Sequence, residues 1–379
     1  MSGEDTDMNS IDTGGADVHE PFHTDPATDL STHVPLTKPQ LPGIAVPLAA
    51  AVAWGLSGLI SLFLEWPVAG WVVLGWVFFV VGMPAWAQAV EGRRKAVDRL
   101  VTALVWTTFA VAMMPLVAVI WTVVSRGAGA LSVEFFTASQ QGVLGEGGGI
   151  YHAIMGTLII TLVASLISIP IGIMAAVYLV EYGKGNRLAR VLTFLVDVMT
   201  GIPSIVAGLF ALALFTLLLG PLPRIAIGGS IALSVLMIPI VVRSTEEMLK
   251  LVPEELREGA YALGVPKWRT ITKVVLPTAL GGIITGSTLA VARVAGETAP
   301  LLLIAGTLRG TNFNPFDGAM QTLPVLICSE ATKGGAKPEY LAAQIERAWG
   351  AALVLIIIVM LLNLLARVVG SFFSPKTGR

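Results

Sequence analysis

Arg293 and Glu297 stand four residues apart inside the apolar run VARVAGETAPLLLIAG, residues 291–306. That spacing brings two side chains to one face of a helix. A guanidinium presents a planar fork of N–H donors that fits a tetrahedral oxyanion through two parallel hydrogen bonds. An arginine at the centre of a lone membrane helix costs about 2.5–3.5 kcal/mol on insertion scales, so it must face protein, water or a ligand. Leucine at both positions would insert more readily, which makes stability alone a weak reason for the pair. Gly296, Thr298 and Pro300 add close approach, a hydroxyl donor and a local break in the helix. Two readings stay open on the residues alone. One is an intrahelical ion pair that locks packing. The other is an anion contact, with Arg293, Glu297 and Thr298 on a substrate pathway.

A second segment carries order of another kind. It reads TEEMLKLVPEELREGAYALGVPKWRTITKVVLP and ends at Pro277. Pro253 suits a first helical position, and Glu254 and Glu255 favour the positive helix start. Val252, Leu256, Ala260 and Leu263 fall on one face at helical spacing. Gly264 is placed to adopt a left-handed conformation and end the helix. Val265 precedes Pro266 and is expected to be extended. A second amphipathic helix is expected from about 267, with Leu276–Pro277 opening the next apolar run. These signals alone also describe an interfacial hairpin with no partner.

These segments need elements to hold them, and composition says which solvent those elements meet. The 379 residues are 55% hydrophobic and only 13% charged, with mean hydropathy +0.79. Soluble domains carry about 25% charge, so lipid is the expected solvent. No basic patch lies outside short connecting loops, which excludes nucleic-acid binding. A single cysteine, Cys328, excludes an intramolecular disulfide. Three of four histidines lie within the first 33 residues, and none has metal-ligand spacing. No cofactor is expected.

Residues 1–40 hold eight acidic residues against Lys38 and few apolar ones, a composition that predicts a disordered tail rather than a signal peptide. Apolar runs long enough to span about 30 Å of hydrocarbon then follow at roughly 43–64, 67–90, 100–124, 150–180, 191–219, 225–243, 277–305 and 348–370. With the N-terminus inside, seventeen of the 24 basic residues fall inside, six fall outside and Arg293 lies within a span. The positive-inside rule therefore predicts both termini in the cytoplasm. Pro170, Pro203 and Pro239 are candidate kinks. Asp197 is a candidate for interhelical hydrogen bonding or the pathway. Asn363 and Arg367 read as packing and an anchor, and Gly145–Gly149 as an outside turn.

Glu258–Gly259–Ala260, Gly264 and Leu276–Pro277 resemble the EAA motif of ABC importer permeases, with Gly259 in place of the first Ala and Val274 in place of Ile. The Arg293–Leu302 stretch resembles the phosphate-specific (Pst) permease family, in particular its A-type subunits. So do Leu131–Phe136, Gly149–Thr161, Gly201–Phe210 and Met320–Pro324. The resemblance implies that the loop holds a coupling helix docking on a separate ATPase. Ala260 would permit close approach there, Gly264 would make the bend and Pro277 would transmit movement. No G-x-x-x-x-G-K-[S/T] stretch occurs, so ATP hydrolysis would belong to another chain.

The expected fold is all-α. A tail at 1–40 and an additional transmembrane hairpin at 41–92 precede a six-span type I permease core at 93–379 with its coupling loop at 244–276. The resemblance implies a non-catalytic permease subunit of a phosphate importer in the cell inner membrane. Implied partners are two ATPase copies, a second PstC-like permease, an extracytoplasmic phosphate-binding protein, phosphate and membrane lipid. Arg293 would touch phosphate in transit and Glu297 would tune its release. The alternatives are a permease for phosphonate, sulfate or molybdate, and an ion-coupled secondary transporter.

Overall fold

The computed structural model describes residues 40–143, 145–183, 185–221, 223–332 and 338–373. The acidic tail expected at 1–40 lies outside these, apart from residue 40. The described residues form α-helices, with short 3-10 and π-helical turns, and contain no strand. Among the described residues, seven helices are long and apolar enough to cross a membrane, so the chain is a multi-pass membrane protein. The chain divides into two compact units with a boundary at Met114/Pro115.

In the first unit, α1 (Ala45–Phe63) and α2 (Val68–Val90) form a hairpin, followed by the start of α3 (Arg93–Gly127). Glu65 takes a left-handed conformation, φ 54°, at the turn, and Pro67 then caps α2. Tryptophans hold the pair. Ser57 donates to the Trp71 carbonyl at 2.6 Å, Trp71 donates to that of Trp54 at 3.0 Å, and Trp54 meets Trp76 edge-on at 5.8 Å. Below the hairpin, Glu91 accepts from Arg99 at 2.9 and 3.0 Å and from the Leu41 amide at 2.7 Å. The Arg99 hydrogen bonds and then the Leu41 amide hold the Glu91 carboxyl below the usual carboxylate range. Its contribution is therefore present at neutral pH and is lost as acid takes the pH down through that lowered pKa.

The second unit contains α4 (Val133–Thr137), α5 (Tyr151–Val177), α6 (Arg187–Thr200), α7 (Ser204–Leu219), α8 (Ala226–Lys250), α9 (Glu254–Ala262), α10 (Lys267–Thr270), α11 (Leu276–Ala295), α12 (Ala299–Ile304), α13 (Leu323–Thr332) and α14 (Pro338–Phe373). The central pair is α5 with α8. Apolar burial gains little between helices in lipid, so close backbone approach and interhelical hydrogen bonds matter more. Ser230 and Ser234 donate from α8 to the Ile160 and Ala164 carbonyls of α5 at 3.2 and 3.4 Å. α11 packs on α8, and α14 packs on α11 and α13. Pro170 and Pro239 sit inside α5 and α8, which run on through them.

Three sequence expectations are corrected. The run 191–219 is not one straight span: α6 and α7 meet at 108° across Gly201–Pro203. Pro203 supplies no N–H and caps α7 in an extended conformation, so the helix breaks there. The run 225–243 continues to Lys250, since Thr245–Lys250 carries helix-compatible charge, with Lys250 bonded to Glu246 at 2.7 Å. The run 277–305 is interrupted between α11 and α12.

The motif segments interlock at tight contacts. A methyl group at Gly156 of α5 would collide with the Gln321 carbonyl oxygen, and the adjacent Thr157 accepts from the Leu323 amide at 2.8 Å. Gly156→Ala is expected to cost about 1–3 kcal/mol through overpacking. A lowered thermal midpoint in detergent would register it, and an unchanged midpoint would show that the contact relaxes freely.

Candidate functional site

α11 buries Ile283, Ser287, Ala290, Val294 and Ala295. Ala290 and Val294 join Ile160, Ala164, Met237 and Val241 in the core. The opposite face carries Thr285, Leu289 and Arg293, all exposed and four residues apart. Thr285 and Leu289 also line a groove of about 670 Å³ with Asn363 and Arg367 of α14, which does not include Arg293.

The helix ends at Ala295, with Gly296 as its cap. Pro300 has no N–H to give the Gly296 carbonyl, and its ring would clash there, so α11 cannot run through. Glu297 therefore lies in the break, and the expected sharing of one helix face with Arg293 is corrected. The ion-pair reading falls with it. Among the described residues, neither side chain forms an ion pair with the other or with any third residue. Arg293, in the last turn of α11, lies at the negative end of the helix dipole. Thr298 occupies the cap position of α12 and makes no capping hydrogen bond through its hydroxyl. Glu297 and Thr298 are half-buried.

The break is held from behind by α7. A methyl group at Gly208 would come within 2.6 Å of Pro300 Cα, so only glycine lets α7 approach this closely. Gly201–Phe210 and Arg293–Leu302 thus meet as packing partners. Asp197 does not line the break: it accepts from Arg243, which also donates to Glu246 at 2.9 Å and ties α6 to α8.

The second constellation is an elbow. Gly264 takes φ +72°. Its amide donates to the Tyr261 carbonyl at 2.9 Å, and the Val265 amide donates to that of Ala260 at 3.1 Å. Those two bonds complete a Schellman turn at the end of α9. Pro253 caps α9 rather than opening it. Glu258, Gly259, Leu263 and Gly264 are exposed. Ala260 is buried within its own chain, as is Val252, whereas Leu256 and Leu263 face out. The single apolar face expected here is therefore corrected: Val252 and Ala260 seat α9 on its own protein, and Leu256 and Leu263 do not. Beyond the elbow, α10 runs through a π-helical turn, Ile271–Val275, into α11. Leu276 is half-buried and Pro277 exposed at that junction. The π turn precedes the position where Pro277 cannot donate, a usual accommodation of a missing i→i−4 bond.

Two buried ion pairs escaped sequence reasoning. Arg257 of α9 bonds Glu181 at 3.0 Å, and Arg347 of α14 bonds Glu330 of α13 at 3.2 Å. Arg347 also donates to the Gly145 and Gly147 carbonyls at 2.6 and 3.0 Å, which fixes the glycine-rich turn. The signal in the sequence is slight: Glu181 is a lone charge inside the apolar stretch YLVEY at 178–182, whereas Arg257 and Arg347 stand among other charged residues.

The structure thus presents a multi-pass helical fold in which a bent elbow runs directly into the span that carries Arg293. The fold agrees with that of the bacterial alginate ABC transporter crystallised with its alginate-bound periplasmic protein: the TM-score is 0.55 at 14% identity over 74% of this chain and 97% of that one. Residues 168–379 match the family described as binding-protein-dependent transport system inner membrane component. The phosphate transport system permease protein PstA 1 of Mycobacterium tuberculosis (strain CDC 1551 / Oshkosh) is 48% identical over 280 residues, 73% of this chain and 90% of that protein. PstA of Mycobacterium leprae is 50% identical over the same share of each, and PstA of Pasteurella multocida is 39% identical over 75% of this chain and 97% of its own length. The chain belongs to the binding-protein-dependent transport permease family, among its PstA phosphate transport permeases.

Proposed function

We propose that this chain forms one half of the translocation pathway of an ATP-driven importer of inorganic phosphate. The observation that carries the reading is the unpaired guanidinium of Arg293 on an exposed face of a membrane helix. Left without water or a counter-charge it is costly, and a tetrahedral oxyanion satisfies it. Glu297, in the break one turn beyond, tunes and releases the anion, and the Thr298 hydroxyl adds a donor. Phosphate carries a proton that it can give to a carboxylate, whereas sulfate does not.

In this reading the exposed surface around Glu258, Gly259, Leu263 and Gly264 docks on a separate ATPase, present in two copies. A PstC-like permease supplies the other half of the pathway, and an extracytoplasmic binding protein delivers phosphate. ATP binding draws the elbows together and opens the pathway outward; hydrolysis resets it. The chain positions and conducts, and no covalent chemistry falls to it. The distribution of basic residues supports both termini lying on the cytoplasmic side of a cell inner membrane. The hairpin at 41–92 is an addition to the permease core at 93–379, with an assembly or packing role.

Proteoliposomes holding the chain with its ATPase, second permease and binding protein provide the test. ATP-dependent phosphate uptake is expected. Uptake driven by an ion gradient without the ATPase would replace this reading with a secondary carrier. A guanidinium accepts other oxyanions, so a phosphonate, sulfate or molybdate importer is the second reading, and competition among these anions decides it. Glu297→Gln should weaken the preference for phosphate over sulfate by about tenfold, the value of one neutral-for-charged hydrogen-bond change near 1.4 kcal/mol. Unchanged selectivity would remove Glu297 from discrimination.

A further inference from the structure

The inner packing of α9 contains a grip that the transport reading leaves unused. α5 ends in a π-helical turn, Tyr178–Tyr182, that carries Glu181. Glu181 is buried, and one of its carboxylate oxygens accepts from Arg257 Nε and Nη2 at 3.1 and 3.0 Å. Arg257 also donates to the Val252 carbonyl at 2.7 Å and the Leu249 carbonyl at 2.9 Å, which lie at and just beyond the end of α8. One guanidinium thus joins α9, the end of α8 and the end of α5. From the far side of the elbow, Lys267 donates to the Glu181 backbone carbonyl, and its ammonium lies 4.8 Å from the Tyr182 ring centre. The same five-residue turn is therefore held from both arms of the bend at Gly264.

The direction of that hold matters. A buried ion pair is seldom a net source of stability, because desolvation offsets most of the attraction. Two fixed bonds on one oxygen do, however, tie the position of the turn to that of α9. Above the turn, α5 packs against α8 and contributes Ile160 and Ala164 to the core that buries Ala290 and Val294, the neighbours of Arg293.

We infer that Glu181, held by Arg257 and Lys267, is a positioning residue that transmits movement of the elbow into α5, in parallel with the direct route through α10 and α11. The inference rests on the importer reading above. It gives α5 a drive of its own, so that both helices flanking the Arg293 turn move together.

The test uses the intact reconstituted transporter with its binding protein, and reads phosphate taken up per ATP hydrolysed. Glu181→Gln keeps the shape and removes the charge. It should lower that ratio about fivefold, the lower end of usual coupling between sites, with stimulated ATP hydrolysis retained. A structural role alone would change the amount of assembled complex and leave the ratio unaltered, which would overturn the inference. Should Glu181→Gln prevent assembly, Lys267→Met decides, because Lys267 is exposed and its loss leaves the buried pair in place. A lowered ratio supports the grip, and an unchanged one overturns it. Absence of ATP-driven uptake by the unsubstituted protein would remove the importer reading together with this one. Normal uptake with unmoved ratios in the variants removes this one alone.

Discussion

Arg293→Ala is expected to reduce ATP-dependent phosphate uptake about a hundredfold. Two charge-assisted hydrogen bonds contribute about 3 kcal/mol to holding an oxyanion, and 1.4 kcal/mol is a factor of ten. Arg293→Lys keeps the charge but loses the planar fork, so a loss nearer tenfold is expected, about half of that free energy. Membrane insertion works in the opposite direction. Removing an arginine from a membrane helix does not raise the insertion cost, so the alanine variant should appear in the membrane at equal or greater yield. Loss of uptake therefore cannot be traced to loss of protein. Uptake at the unsubstituted rate in Arg293→Ala would take Arg293 out of the pathway.

The second large effect is expected at Gly264. Its φ of +72° is one that a β-branched residue adopts only under strain, on the order of 1–3 kcal/mol. A valine there would rather release the two hydrogen bonds from Gly264 and Val265 and straighten the bend. The surface of Glu258, Gly259 and Leu263 would then leave its position relative to α10. Gly264→Val should retain ATP hydrolysis by the partner subunit but lose about tenfold in phosphate moved per ATP, a coupling loss near 1.4 kcal/mol. Measurement of both rates on the same reconstituted sample checks it, and an unaltered ratio would count against the elbow as a joint.

What could be read beforehand follows the range of each interaction. Long apolar runs announce α1, α2, α5 and α14 because hydropathy is a local property. The turn at Gly264 was legible for the same reason: a glycine after a helical pattern and before Val265–Pro266 admits few conformations. The interruption at Gly296–Thr298 was half legible. Pro300 and Gly296 marked it, yet spacing by four suggested one continuous face for Arg293 and Glu297, and the real end of α11 separates them. The 108° bend at Gly201–Pro203 was hidden by the apolar character of both arms. Long-range pairs left no local trace. Glu181 meets Arg257 across 76 residues, and nothing near either one specifies the other. Ala260 shows the same limit from the other side: a motif identifies a small residue but not whether its own chain or a neighbour packs on it.

The π turn at Ile271–Val275 fixes an azimuth. Each residue of an α-helix rotates the next by about 100°. A π turn fits one more residue into a turn and so sets back everything after it by that step. From Gly264 to Arg293 the backbone is thus a dial whose setting depends on a count of residues, not on their identities. Val274 can stand where the related motif has isoleucine, and Gly259 where it has alanine, without moving the pointer. One residue inserted or deleted between the bend and Pro277 would turn the whole of α11 by about a quarter turn relative to the elbow, carrying Thr285, Leu289 and Arg293 together out of their present orientation and lifting Ala290 and Val294 from the core.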